Sequence, residues 1–259
     1  MTREKKDGTF IKDETIISKK EDDEIMSNNY NPMPELLPED VIERARKLNP
    51  ALLCDGMKGL GIPMDGCMEA SIMPVDPNAP MMVGTAMTVE TDNGDNFPIH
   101  VATYSSKPGY VMVVDGKGFK ERPYFGDLIV HAAKAVGLEG IVIDGYTRDR
   151  QGVTELGFPV FSKGLMQRGV NKKEPGKMNI PVNCGGIVVN PGDLVVGGSD
   201  GVTVVPRDRI EEVLKAAEEK AAYEDARDAT IEEYIRCVAE GKEPPQLAPQ
   251  WCLDLMAQM

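Results

Sequence analysis

Two short apolar runs separated by a helix-like segment constrain the fold of this chain more than any other feature. The runs are 110–115 (YVMVVD) and 141–144 (IVID), and between them apolar residues recur at helical spacing from Ile129 to Val136. A strand, a helix and a strand within about 35 residues have the spacing of a βαβ unit. The right-handed crossover of such a unit places its helix against a parallel sheet. The sequence therefore predicts an α/β fold.

The residues after this unit predict a β layer followed by a long helix. Short β-rich runs separated by Gly, Pro and Asp are typical of an antiparallel or barrel-like layer; they lie at 158–161, 187–189, 194–196 and 202–205. Residues 207–241 then have apolar positions at helical spacing, opposite a face rich in Glu and Lys. We predict a single domain over residues 34–241.

Two terminal regions lie outside this predicted domain. Residues 1–33 mix Lys, Glu, Asp and Asn with few apolar residues, which predicts a flexible extension. Residues 242–259 form a tail with Pro244-Pro245 and an apolar patch around Trp251. That patch either docks on a neighbouring subunit or packs on its own domain.

Composition excludes several classes of protein. The formal net charge of −13 argues against a nucleic-acid binder, which normally presents a basic face. No run approaches the roughly 20 apolar residues that span a bilayer, and the N-terminus does not have the pattern of a signal peptide. The five cysteines are widely spaced without a CxxC pair, which predicts reduced thiols in a cytoplasmic protein without membrane contact.

The start of the predicted 127–137 helix is a candidate anion-binding site. The first N–H groups of a helix have no partner within the helix and lie at its positive end. Gly126 allows the backbone to approach a ligand closely. A carboxylate is therefore expected to bind the amides of four consecutive residues; they are Gly126, Asp127, Leu128 and Ile129.

An adjacent Arg148-Asp149 pair closes the second strand and is expected to lie beside that helix start. Arg148 would clamp the same anion in bidentate fashion. Asp149 would supply an oxygen ligand to Mg²⁺ or Mn²⁺, since magnesium often takes one or two protein carboxylates and keeps several waters. Asp127 would hydrogen-bond a water on the metal and act as, or position, a base.

Other interpretations of these residues remain open from the pattern alone. Arg148 and Asp149 also suit a surface salt bridge, and Asp127 suits an acid that stabilises a helix N-terminus. Asp115 and Asp144 end apolar strands as well, so they are rival metal ligands.

At these residues the chain resembles the family of the regulator of ribonuclease E activity A and the 4-hydroxy-4-methyl-2-oxoglutarate aldolases. The resemblance covers about residues 38–240 and rests on several motifs together. They are Asp127 followed after twenty residues by Arg148-Asp149, PGYVMVVDG (108–116), GLEGIVIDGYTRD (137–149), FPVF (158–161), NPGDLVVG (190–197) and DGVTVVP (200–206).

The resemblance implies a swivelling β/β/α-type domain that forms homotrimers or hexamers with active sites at subunit interfaces. It implies a lyase that cleaves a 4-hydroxy-2-oxo acid to pyruvate and also decarboxylates oxaloacetate. By residue matching, Asp149 would bind the metal, Arg148 the pyruvyl carboxylate, and Asp127 waters on the metal. The alternative that the same family implies is a protein-binding regulator of ribonuclease activity without catalysis.

Overall fold

A curved mixed β-sheet forms the centre of the molecule in the computed structural model, which describes residues 29–259. Within that range the sheet has eight strands in the order β1-β5-β4-β3-β2-β9-β10, with β6 paired on β2. The strands are β1 (Met73–Pro74), β2 (Met82–Glu90), β3 (Tyr110–Asp115), β4 (Gly140–Thr147), β5 (Val160–Leu165), β6 (Lys177–Met178), β9 (Leu194–Gly198) and β10 (Gly201–Val205). Strands β2 to β5 are parallel, as the predicted βαβ unit requires, and the others pair antiparallel. A separate hairpin consists of β7 (Val182–Cys184) and β8 (Ile187–Val189).

Helices cover the sheet in two groups, and a last helix follows in the C-terminal tail. They are α1 (Glu39–Ala45), α2 (Pro50–Met57), α3 (Phe97–Ser105), α4 (Asp127–Ala135), α5 (Arg150–Leu156), α6 (Ile210–Ala239) and α7 (Gln250–Met256). Short 3₁₀ turns occupy Pro63–Gly66 and Arg207–Arg209. Helices α3 and α4 pack on one region of the sheet, and α1, α2 and the first turns of α6 on another.

The sheet curls so far that its two edge strands approach each other. The backbone amide of Met68, just before β1, donates to the carbonyl of Val202 in β10 at 3.0 Å. The β7–β8 hairpin fills the concave face, where Val111 and Val113 of β3 contribute to one apolar cluster. Met112, on the opposite face of β3, packs under the helices. Both faces of β3 are therefore buried, which explains its continuous apolar sequence.

The long C-terminal helix begins three residues later than its predicted start, after the 3₁₀ turn Arg207–Arg209. Its first half packs closely on α2 at Gly56, where an added Cβ would lie 2.9 Å from the carbonyl oxygen of Val213. Towards the end of the helix the apolar side chains are exposed, for example Ile235 at 54%. In the predicted tail, Trp251 is likewise 61% exposed. The described part of the chain has no helix that is both long and apolar enough to cross a membrane.

The structure corrects the sequence prediction about the cysteines. The prediction of five reduced thiols is wrong for one pair: Cys54 and Cys67 form a disulfide with their Cα atoms 6.5 Å apart. Cys54 lies in α2, and the following 3₁₀ turn brings Cys67 back to it.

The predicted extension 1–33 falls mostly outside the described residues. Its last residues do contact the domain, because the amide of Asn31 donates to the carbonyl of Met178 at 3.2 Å.

Candidate active site

The end of β4 and the loop before α4 run side by side, as the sequence predicted. The amide of Tyr124 donates to the carbonyl of Tyr146 at 2.8 Å, and the amide of Arg148 donates to the carbonyl of Phe125 at 3.1 Å. The hydroxyl of Thr147 donates to the same Phe125 carbonyl at 2.8 Å. These bonds bring the residue that precedes α4 directly beside the Arg-Asp pair.

Two glycines make room for the two carboxylates of the site. A Cβ on Gly126 would lie 2.1 Å from Oδ2 of Asp149, and a Cβ on Gly152 would lie 2.6 Å from Oδ2 of Asp127. Each acid thus packs against a glycine that belongs to the other segment. The backbone of Gly126 is extended, with φ −139°. A glycine is needed there because of the close approach and not because of its dihedral angles.

The first amides of α4 are free to bind an anion. Gly126 is the N-cap and supplies no side chain to the helix start. Within residues 29–259, the amides of Asp127, Leu128 and Ile129 donate to no protein acceptor. Leu128 is 81% exposed, so this turn of the helix faces solvent. The start of α4 therefore has unpaired backbone donors, as the prediction of an anion site requires.

Asp149 adopts a left-handed backbone conformation with φ 59° and ψ 42°. Such a conformation is rare for residues other than glycine, although Asp and Asn tolerate it best. The Nε of Arg148 donates to Oδ2 of Asp149 at 3.1 Å, and both side chains are a little over one-third exposed. Strain of this kind costs about 1–3 kcal/mol and clusters at functional sites.

The rival ligands Asp115 and Asp144 have lysine partners instead. Oδ2 of Asp115 lies 2.7 Å from Nζ of Lys117, and Oδ1 of Asp144 lies 2.6 Å from Nζ of Lys163. Asp144 also accepts the amide of Gly185 at 2.9 Å. Both acids are buried, and each shares its lysine with a second carboxylate, Glu90 for Lys117 and Glu69 for Lys163.

Asp127 and Asp149 both line one cleft of about 100 Å³. In the part of the chain that the structure covers, no group of three or more His, Cys, Asp or Glu side chains is arranged to hold a metal. One or two carboxylates with several waters are nonetheless a normal donor set for Mg²⁺, and Mn²⁺ also prefers oxygen ligands. The residues present therefore fit a hydrated divalent ion.

A larger groove of about 470 Å³ lies elsewhere, beside Lys117 and Lys177. Its lysines are paired with Glu90 at 2.8 and 3.4 Å. It contains none of the predicted site residues, so we place the candidate chemistry in the smaller cleft.

The same small cleft has a second wall that the sequence did not predict as part of the site. This wall consists of Asn96, His100, Val170 and Lys172. Burial, and next the nearby Lys172 ammonium, lower the pKa of His100. These residues come from α3 and from a loop about 70 residues later. In the sequence, the one feature that marks this wall is the basic pair Lys172-Lys173.

Comparison with known proteins places this cleft within a region shared with other chains. The model of the RraA-like family, described as Aldolase/RraA, matches residues 51–204. A protein of Halalkalibacterium halodurans, provisionally named a 4-hydroxy-4-methyl-2-oxoglutarate aldolase, is 36% identical over 199 residues; these span 77% of this chain and 92% of that protein.

Two crystal structures resemble the fold. RraAS2 of Streptomyces coelicolor is described as an unusual member of the RNase ES inhibitor RraA protein family. It aligns with a TM-score of 0.67 and 27% identity over 74% of this chain and 98% of that chain. An uncharacterized protein from Pseudomonas syringae aligns with a TM-score of 0.61 and 27% identity over 83% of this chain and 97% of that chain. The family match over residues 51–204 includes all the residues that line the cleft.

Proposed function

Because the chain belongs to the RraA-like Aldolase/RraA family, we propose that it is a divalent-metal-dependent lyase. Its substrate would be a 4-hydroxy-2-oxo acid of the 4-hydroxy-4-methyl-2-oxoglutarate type, which it cleaves to pyruvate and a second oxo acid. We propose oxaloacetate decarboxylation as a second reaction of the same site. The observation that carries the proposal is the convergence of the α4 amides, Arg148, Asp149 and Asp127 on one cleft.

Arg148 and the α4 amides would bind and orient the carboxylate of the 2-oxo acid. A planar guanidinium matches the two carboxylate oxygens, and the helix N-terminus adds donors without any side-chain entropy cost. In the structure the Nε of Arg148 donates to Asp149, while its Nη1 has one long contact of 3.5 Å to the carbonyl of Arg168. Most of the guanidinium's hydrogen-bonding capacity is thus left for a ligand.

Asp127 would handle the proton that retro-aldol cleavage removes. The 4-hydroxyl group must lose its proton as the C3–C4 bond breaks, and the electrons of that bond pass to the pyruvyl fragment as an enolate. Asp127 borders the same cleft and is suited to take this proton through a water molecule. A divalent ion at Asp149, Mg²⁺ or Mn²⁺, would supply Lewis-acid stabilisation of the negative charge on the enolate oxygen.

Pyruvate release tests this proposal directly. Purified protein with Mg²⁺ should release pyruvate from 4-hydroxy-4-methyl-2-oxoglutarate and from oxaloacetate, and a chelator should abolish the release. Asp149→Ala should lower the rate by about two to four decades, equivalent to about 3–5 kcal/mol of barrier. Asp228→Ala, an exposed acid on α6, is the matched control and should retain the wild-type rate. Undiminished turnover in excess chelator would refute the metal dependence.

A second candidate function is binding to a ribonuclease as a non-catalytic regulator. The structural similarity to RraAS2, described as a member of an RNase ES inhibitor family, favours it, and a net charge of −13 suits a basic partner surface. Stoichiometric recovery of a ribonuclease in a pull-down, without lyase activity on a panel of 2-oxo acids, would support this function over the first.

We also propose that the protein is a homotrimer or hexamer in the cytoplasm, acting on a small 2-oxo acid and on neither nucleic acid nor membranes. Sedimentation equilibrium distinguishes the assemblies, since the monomer mass is 28.3 kDa. A monomer at micromolar concentration would contradict the proposed assembly.

A further inference from the structure

We propose that Cys54 and Cys67 are a redox-active pair, which exchanges with small thiols and tethers the edge where the sheet closes. The inference does not depend on the proposed lyase reaction. It concerns a separate cleft of about 310 Å³, which shares none of its described lining residues with the candidate active site. Both cysteines are half-buried and line this cleft, so a small molecule can reach their disulfide.

The disulfide lies at the point where the two edges of the sheet approach each other. Cys67 pairs with Thr203 of β10 as an isolated antiparallel bridge. The amide of the next residue, Met68, donates to the carbonyl of Val202 at 3.0 Å. We call this contact of Cys67 and Met68 with β10 the seam. Because the seam is an isolated bridge and not a full ladder, it depends on contacts that hold Cys67 in place.

The tether joins the seam to α2, which carries Cys54. The Sγ of Cys54 lies 3.1 Å from Oγ1 of Thr203, and that hydroxyl donates to the carbonyl of Pro50 at 3.2 Å. The turn that leads to Cys67 has positive φ at Met64 and Asp65, a conformation that residues other than glycine rarely adopt. Without the disulfide this turn is free to relax, and the seam would open more often.

Reduction of the pair takes two thiol–disulfide exchanges. The thiolate of a small thiol attacks one sulfur of the pair, which forms a mixed disulfide and releases the other cysteine as a thiolate. A second small thiol attacks the mixed disulfide, so a small-molecule disulfide leaves and the protein becomes a dithiol. Two electrons and two protons thus pass from two small thiols to the protein, and reoxidation is the reverse. Disulfides are usually transient in the cytoplasm, the location proposed above, so this accessible pair is expected to cycle.

The charge of the cleft favours a cationic thiol as the co-reactant. Among residues 29–259, its lining contains the carboxylates of Asp55 and Asp200 and no cationic side chain. Asp55 is partly neutralised, because Nζ of Lys220 lies 3.4 Å from its Oδ2. Asp200 is exposed, and its Oδ1 has a long contact of 3.4 Å to the hydroxyl of Ser199. These charges attract the ammonium group of an aminothiol and repel an anionic thiol.

Alkylation of the native full-length protein, followed by peptide mass spectrometry, tests the exchange. Cys54 and Cys67 should be protected at first and become alkylated after incubation with cysteamine, well below the unfolding temperature. Each thiol's rate is divided by its rate with hydroxyethyl disulfide, which removes differences in intrinsic reactivity. Mercaptoacetate should then react at least about threefold more slowly than cysteamine at low salt, with a smaller difference at high salt. Asp200→Asn should also reduce the difference.

Two outcomes would contradict the exchange site. If the pair opens only in denaturant, small thiols do not reach it and the proposal is overturned. If cysteamine and mercaptoacetate react at the same normalised rate at low salt, the cleft does not select the thiol by charge.

Hydrogen–deuterium exchange tests the tether. Reduction should raise the exchange rate of the Met68 amide by about 10-fold or more, because the seam then opens more often. Cys54→Ser/Cys67→Ser should reproduce the reduced rate and show no response to cysteamine. Cys252→Ser is the matched control, since it removes a half-buried cysteine outside the pair, and it should behave like the wild type. An unchanged exchange rate at Met68 after reduction would overturn the tether.

Discussion

Replacing Gly126 by alanine should inactivate the site while leaving the fold intact. The added Cβ would lie 2.1 Å from Oδ2 of Asp149 and 3.0 Å from Cγ of Arg148. Ordinary contacts begin near 3.4 Å, so the carboxylate must move by more than 1 Å. The backbone itself accepts alanine, because its φ of −139° is open to any residue.

The size of the effect follows from that displacement. A misplacement of about 1 Å in a reacting constellation costs about 100-fold in rate, which corresponds to roughly 2.7 kcal/mol. We therefore expect kcat/KM for pyruvate release from the 2-oxo acid to fall about 100-fold, with the Tm within a few degrees of wild type. Steady-state kinetics and differential scanning calorimetry on the same preparations measure both quantities.

Gly169→Ala provides the control, because its added Cβ would meet no heavy atom within 4 Å and its φ is not in the left-handed range. That variant should retain wild-type kinetics. If Gly126→Ala stays within threefold of wild type, Asp149 does not act at the reacting centre. If Gly126→Ala loses activity because the protein has unfolded, the glycine is needed for the fold, and the argument that it positions the Asp149 carboxylate is wrong.

Three further predictions concern single contacts. Asp149→Asn should weaken Mg²⁺ binding in calorimetry by at least about tenfold, because it removes the charged oxygen ligand. An unchanged affinity would mean that the metal binds at other residues. Arg148→Lys should raise the KM for the 2-oxo acid by about 10- to 100-fold, because an ammonium cannot form the bidentate contact; an unchanged KM would exclude the clamp. Reducing the Cys54–Cys67 disulfide, whose cysteines are 13 residues apart, should lower the free energy of unfolding in urea by about 2–3 kcal/mol. A Cys54→Ser/Cys67→Ser variant should show no response to reductant, and a response would assign the effect to another thiol.

The sequence predicted well those strands of the core whose two faces are both buried. Strand β3 has the predicted bounds, because a strand covered on both sides is a continuous apolar run. Strand β4 extends three residues past its predicted end at Asp144, since Tyr146 and Thr147 resume pairing with β5 after a register shift. Helix α5 was not predicted, because Gly152 and several polar residues leave it without an apolar stripe.

The sequence could predict the part of the candidate site whose residues lie within one short stretch of the chain. Asp127, Arg148 and Asp149 belong to one βαβ unit, and the geometry of that unit brings a helix start to a strand end. The second wall of the cleft brings the segment of Asn96 beside that of Lys172, because Asp95 accepts the amide of Lys173 and the amide of Asn96 donates to the carbonyl of Asn171. No periodicity or motif encodes such a contact, so only the three-dimensional structure reveals it.

The left-handed backbone of Asp149 limits which amino acids the site can carry at this position. Gly adopts φ 59° without strain and Asp and Asn tolerate it best among the other residues, whereas most side chains lose about 1–2 kcal/mol there. A glutamate keeps the charge but gains a longer side chain on a backbone that disfavours it. The backbone conformation at position 149 therefore restricts which amino acids can occupy it, whether or not a ligand is bound. Of the two acidic residues, only the shorter aspartate combines a negative charge with tolerance of this conformation.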